Sequence, residues 1–222
     1  MHRHELYVFD WDGTVMDTTG LIARGMREAC IAMGYPAPSL DACRETIGLP
    51  FADSFARVVP GFPRERIDEF LTVYRSWYLR REAAVEPVEG LEDLFARMTA
   101  AGLRLAVATG KSRAGLIRVF ERTGLEKYFE ATVTADESFP KPNPAMLEKL
   151  SHETGVDTRD MVMIGDSIHD LQLAQNARCD AVAVTWGAAR REELESFPAL
   201  DYVGSVSGLV RALGLQYLYE TS

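Results

Sequence analysis

Leu6-Tyr7-Val8-Phe9-Asp10-Trp11-Asp12-Gly13-Thr14 decides the fold: four apolar residues run into two aspartates and a glycine turn. A short apolar run closed by glycine reads as a buried strand, and open α/β sheets bind their ligands just beyond the carboxyl ends of such strands. Both carboxylates therefore leave the strand at the sheet's functional edge. Asp-Gly is also ordinary turn chemistry, so this stretch alone weighs a plain strand-to-turn junction and a reactive site equally.

Beyond Thr14 the apolar period becomes helical. Helices are expected from Thr18 or Thr19 to about Gly34, from Ser39 towards Ile47, over 52–59, and after Pro63 through Phe70, Val73, Tyr74 and Trp77, with Gly48-Leu49-Pro50 as a breaker. Glu86-Pro87-Val88-Glu89-Gly90 punctuates the return, and residues 91–101 resume a helical period. Strand and helix patterns then alternate: strands at 103–108, 131–135, 161–164 and 181–185, helices from Arg113, Pro144 and Ile168, then a short strand at Tyr202-Val203 and a helix over 206–213. Such alternation means a parallel sheet, and right-handed crossovers put helices on both of its faces. The expected fold is α/β, a doubly wound parallel sheet formed by residues 1–15 and 89–222. A small all-helical cap, residues 16–88, is inserted above the first strand's carboxyl end.

At 222 residues the chain is long enough for a substantial core plus an attachment. Its 47% hydrophobic and 26% charged residues are ordinary for a globular protein. A net charge of -9 leaves no basic stripe to replace the counterions of a nucleic acid, so a small ligand is the expected partner. Cys30, Cys43 and Cys179 are scattered without metal-type spacing and read as reduced packing residues, which points to the cytoplasm. The start, Met1-His2-Arg3-His4-Glu5, carries no long apolar segment, so neither a signal peptide nor a membrane partner is expected.

Each later core strand also ends in polar residues: Thr109-Gly110-Lys111, then Asp136 with Lys141-Pro142, then Gly165-Asp166-Ser167 with Asp170. Taken singly, Ser112 and Ser167 can be helix caps, Asp166 a turn and Lys141 a solvated charge. Two carboxylates about 4 Å apart at an effective dielectric of about 20 repel by about 4 kcal/mol, so gathering Asp10, Asp12, Asp166 and Asp170 calls for a cation. All of these donors are oxygens, with no Cys or His among them, which suits a hard ion that retains waters. His169 reads as a variable helix residue rather than a ligand.

In order and spacing, Asp10-x-Asp12-Gly13-Thr14, Thr109, Lys141 before Pro142, and Gly165-Asp166-Ser167-x-x-Asp170 resemble the haloacid dehalogenase superfamily, in its phosphoglycolate phosphatase-like branch with a helical cap after the first strand. Trp11 stands where an aliphatic residue is more usual, and Val15-Met16 replaces a Leu-containing pair; both departures bear on packing and pocket shape. The resemblance implies a magnesium-dependent phosphatase acting on a small phosphomonoester, phosphoglycolate-like or a sugar phosphate. Asp10 would be the nucleophile that forms an aspartyl-phosphate, and Asp12 the acid and then the base. Lys141 would neutralise developing charge, and Thr109 and Gly110 would hold the transferring oxygens. The metal set would be Asp10, the backbone carbonyl of Asp12, Asp166, and Asp170, the last acting through water or by holding Lys141. A cap loop near Gly48 would reach towards the substrate, and arginines such as Arg44 and Arg57 are more ordinary as solvated surface. The protein would work as a monomer or homodimer.

The superfamily also holds dehalogenases, which lack the second aspartate, and phosphonate hydrolases, which need a cap lysine; no Lys precedes Lys111 here. A sugar phosphomutase or a non-catalytic phosphate- or metal-binding regulator remains the alternative. Lys111 and Arg113 flank the expected cap Ser112 at a helix start, where cations are disfavoured by about 0.3–1 kcal/mol each. Something negative should therefore lie nearby. For Lys111, a substrate-binding candidate, the flexible stem favours swinging into solvent over meeting the substrate. Arg113, with its bidentate fork, is expected to bind a second anionic group of an acidic substrate.

Overall fold

A computed structural model describes residues 4–47 and 51–220. Six parallel strands, β1 (Leu6–Phe9), β2 (Arg104–Ala108), β3 (Ala131–Val133), β4 (Met161–Gly165), β5 (Asp180–Val184) and β6 (Asp201–Val203), form one sheet in the order β3-β2-β1-β4-β5-β6. This is the expected doubly wound sheet. Its order reverses beside β1, between β2 and β4, and the crevice for a ligand opens at that reversal. The third strand stops two residues short of the expected 135. Past Val133 the chain turns instead of pairing, and the Ala135 amide donates to the Lys111 carbonyl at 3.0 Å.

Alternation along the strands splits the core into two layers. Tyr7, Phe9, Leu105, Val107, Val162 and Ile164 pack on one face against α5 (Leu91–Ala100), α6 (Arg113–Thr123) and α10 (Val206–Ala212). Leu6, Val8, Ala106, Ala108, Met161 and Met163 pack on the other against α7 (Ala145–Thr154) and α8 (Ile168–Ala177). With both faces covered, the central strands can be apolar throughout, which is why β1 carries no polar residue before Asp10. A short helix, α9 (Arg191–Leu194), follows β5 and had no counterpart in the periodicity.

Four α-helices stand between β1 and α5 among the described residues: α1 (Thr19–Ala32), α2 (Leu40–Arg44), α3 (Phe51–Val58) and α4 (Ile67–Leu79). Ser39 caps α2 by accepting from the Ala42 amide at 3.1 Å. These helices share a hydrophobic cluster of their own, including Met26, Cys30, Phe55, Phe70 and Tyr74. The segment leaves and re-enters at one place: the Asp17 amide donates to the Glu86 carbonyl at 3.3 Å, and Val88 to Val15 at 2.9 Å. Trp11 is fully buried edge-on against Phe120, with centroids 5.1 Å apart, so its bulk fills the core rather than shaping the cavity described next. The three cysteines are free thiols, buried in the core. No helix among the described residues is long and apolar enough to cross a membrane.

Candidate active site

The carboxyl ends of the strands deliver the polar residues to one edge. Asp10 follows β1, Thr109 follows β2, Asp166 follows β4, and Lys141 comes from the loop between β3 and α7. Carboxylate oxygens of Asp10, Asp166 and Asp170 lie within 4.8 Å of one another, all three buried. Lys141 Nζ donates to Asp10 Oδ1 and to Asp170 Oδ1, both at 2.6 Å. Burial would lower the Lys141 ammonium, but Asp10 and Asp170 together hold it above its ordinary value. Burial drives Asp10 well above the usual carboxylate range despite Lys141, and it pushes Asp166 up to about 7 with help from Asp170.

The three carboxylates are engaged differently. Asp170 Oδ2 accepts from the Ser167 amide at 3.0 Å and the Ser167 hydroxyl at 2.7 Å, a capping box that starts α8, so Asp170 is spent on Ser167 and Lys141. Asp166 accepts from the Thr14 hydroxyl through Oδ1 at 2.9 Å and from the Ala188 amide through Oδ2 at 2.6 Å. Its side chain rests on two glycines, since a Cβ on Gly13 or Gly187 would come within 2.2 or 2.1 Å of Asp166 Oδ2. Asp10 Oδ2 alone in this cluster accepts no hydrogen bond from the described residues. Three buried carboxylates against one ammonium leave a surplus of negative charge, and an oxygen-only donor set fits Mg2+.

Asp12 stands apart from that cluster. Lys111 Nζ sits 3.2 Å from both of its carboxylate oxygens and 3.6 Å from Glu82 Oε1, while the Tyr78 hydroxyl lies at 3.5 Å. Lys111 therefore does not swing into solvent: Asp12 and Glu82 raise its pKa against the opposing effect of burial. Thr109 is buried and its Oγ1 accepts from the Lys111 amide at 3.1 Å; with Gly110 it lines the cavity.

The expectation for Arg113 is corrected. Its guanidinium forks onto Glu137 at 2.9 and 2.6 Å and also donates to the Thr132 hydroxyl and carbonyl at 2.6 and 2.7 Å. The negative partner implied by the helix start exists, but it is Glu137 of this chain, and Asp136 Oδ1 accepts from the Arg113 amide at 2.9 Å. With its fork filled and its place outside the cavity lining, Arg113 holds the loop after β3. Gly48 lies outside the described residues. Arg44 is exposed on Asp41 at 3.0 Å, and His169 is no part of the carboxylate cluster. The Ala188 amide and Gly187 were missed, although Trp186-Gly187 follows a strand as the other site residues do. Glu82 carried no sequence signal.

The chain matches the haloacid dehalogenase-like hydrolase family over residues 7–184. It belongs to that family. Among relatives of this haloacid dehalogenase-like chain, pyrophosphatase PpaX of Halalkalibacterium halodurans is 31% identical over 88% of this chain and 90% of its own length. Phosphoglycolate phosphatase of Agrobacterium fabrum is 28% identical over 82% and 81%. A hydrolase from Pseudomonas syringae of known structure shares the fold, with a TM-score of 0.85 at 21% identity over 94% of this chain and 97% of that one.

Proposed function

We propose that this haloacid dehalogenase-like chain is a magnesium-dependent phosphatase of small phosphomonoesters that works through an aspartyl-phosphate on Asp10. One observation carries the reading: of the three clustered carboxylates, Asp166 and Asp170 have both oxygens committed to the protein, while Asp10 keeps Oδ2 unengaged among the described residues. That oxygen is the one available to attack phosphorus.

Asp10 forms the bond to phosphorus as the bond to the leaving oxygen breaks, and Asp12 gives that oxygen its proton. Water then attacks the same phosphorus, Asp12 takes the water's proton, and Asp10 is released with phosphate. Lys141 keeps Asp10 oriented and offsets charge on the phosphoryl group, and the Thr109 hydroxyl and Gly110 amide hold its oxygens. Asp10, Asp166 and the Asp12 carbonyl would hold Mg2+, with Asp170 acting through Lys141. When bound, the ion neutralises and orients the phosphoryl oxygens. The helical segment, residues 16–88, serves as a cap over this chemistry, and its paired crossings at Val15–Val88 and Asp17–Glu86 support a hinge there.

Purified protein with magnesium and a panel of phosphomonoesters tests the reading. Inorganic phosphate should appear over many turnovers, and Asp10→Asn should abolish it while leaving the fold intact. Transfer confined to positions of a sugar phosphate, or equal rates for Asp10→Asn and the parent, would overturn it.

A further inference from the structure

The cavity above Asp10 encloses about 760 Å³, much more than a phosphoryl group needs. Its far side is walled by Ile22 and Met26 of α1, by Ile47, and by Leu71, Tyr74 and Tyr78 of α4. The Tyr74 and Tyr78 rings stack, with centroids 5.6 Å apart and planes at 25°. The aliphatic hydroxyls on that side are already spent: Ser54 donates to the Thr46 carbonyl at 3.0 Å, and Thr46 to the Cys43 carbonyl at 2.8 Å.

The cations are spent as well. Lys141 is held by Asp10 and Asp170, Lys111 by Asp12 and Glu82, and Arg118 by Glu82 at 3.4 Å. Arg75, the remaining cation of the lining, is exposed to solvent, where an ion pair contributes little. Arg113, the candidate reader of a second anion, points elsewhere. Counting Asp170 and Glu82, which pair with Lys141 and Lys111, the carboxylates Asp10, Asp12, Glu82, Asp136, Asp166 and Asp170 outnumber the cations Arg75, Lys111, Arg118 and Lys141, so the net charge around the cavity is negative. A divalent ion and a phosphate dianion would keep it so. A further carboxylate or phosphate buried there would meet no uncommitted enclosed cation among the described residues, and an unpaired buried charge is strongly disfavoured.

We infer that the leaving group of the substrate is a neutral, largely apolar moiety about the size of an aromatic ring, seated against Tyr74, Tyr78 and Leu71, and not a second anion. The inference rests on the phosphatase reading for its chemistry, but the recognition it describes can be measured without turnover. Aromatic rings offer apolar faces for a ring or hydrocarbon to pack on, and a pocket of this kind discriminates by fit and by refusing charge.

The test compares benzyl phosphate with 4-carboxybenzyl phosphate and with phosphoglycolate, in magnesium, by kcat/KM. Alongside, benzylphosphonate and phosphonoacetate are compared by thermal shift and by competition, which need no hydrolysis. Benzyl phosphate is expected to exceed both acidic esters by about tenfold or more, with benzylphosphonate the tighter ligand. Leu71→Lys, at a half-exposed position where the fold should tolerate it, should narrow the preference by about tenfold; Tyr74→Phe, which keeps the ring, should preserve it. Benzylphosphonate binding tightly with no ester hydrolysed would uphold this inference and sink the phosphatase reading. Acidic esters or phosphonoacetate matching or surpassing the neutral probes would sink this inference and spare that reading. Failure of both phosphonates to bind would overturn it as well.

Discussion

Gly187→Ala isolates the support of Asp166 from the chemistry of Asp10. Gly187 lies just after β5, and a Cβ there would meet Asp166 Oδ2 at 2.1 Å, Cβ at 2.2 Å and Cγ at 2.4 Å. Contacts so short with an atom as fixed as a Cβ cannot be relieved by a rotamer change, so the strand end or the loop must move. The movement pulls Asp166 from the Ala188 amide at 2.6 Å or from the Thr14 hydroxyl at 2.9 Å. Losing one such charge-assisted hydrogen bond costs about 1.5–3 kcal/mol, which corresponds to a drop in magnesium affinity of roughly ten- to a hundredfold. Isothermal titration with MgCl2 and thermal unfolding with and without the ion measure it. Gly20→Ala is the control: in α1 a Cβ there meets only the flexible end of Arg24 at 3.4 Å, and it should stabilise by about 0.5–1 kcal/mol. Parental magnesium affinity and melting temperature in Gly187→Ala would refute the claim that this glycine seats the metal-binding carboxylate.

Three further outcomes are expected. Asp12→Asn should cost far more with alkyl phosphates than with aryl phosphates whose leaving groups need little protonation, and parallel losses in a leaving-group series would remove Asp12 from the acid role. Arg113→Ala should leave KM for acidic and neutral esters unchanged while destabilising the fold by about 1.5–3 kcal/mol, because it frees Glu137, which the Arg113 hydrogen bonds hold down to about 2; a selective rise in KM would restore Arg113 as a substrate reader. Burial raises Asp166 to about 7, above the roughly 3.9 of an unfolded aspartate, so the metal-free fold carries a proton there that the unfolded chain releases. Metal-free stability should therefore fall as pH rises from about 4 to 7. If Asp166 holds magnesium as proposed, binding displaces the same proton, so affinity should climb by up to about tenfold per pH unit through that window and level off near pH 7. A pH-independent magnesium titration between pH 5 and 7 would contradict this.

What was legible in the sequence is what is local or periodic. Strand ends announce themselves by apolar runs that stop at polar residues, so Asp10, Thr109 and Asp166 could be sent to one edge without coordinates, whereas Asp170 joins them because Ser167 caps α8 directly after Asp166 and not through helical spacing. The placement of Lys141 needed the family pattern, because a loop lysine has no period. Arg113 shows where local reasoning fails. The helix-start argument correctly required a negative neighbour, but nothing in the spacing distinguishes a carboxylate of the chain from one on a substrate. The loop after β3 brings Glu137 to it from 24 residues away. Lys111 failed in the opposite direction: a flexible stem suggests solvent, yet Asp12 lies 99 residues before it in sequence. Glu82, its other carboxylate partner, belongs to the helical segment. The first pairing follows from β1 lying beside β2, and the second from how the helical segment folds back over the strand ends; both are long-range contacts that no window of sequence contains. The same holds for the cavity wall. Tyr74 and Tyr78 read as core positions of one amphipathic helix, and they are buried. Which of their surfaces faces neighbouring side chains and which faces the space above Asp10 is decided only by how α4 sits over the strand ends. The end of the site proposed to be catalytic is therefore written in motifs, whereas the wall proposed to select among substrates is written in tertiary packing.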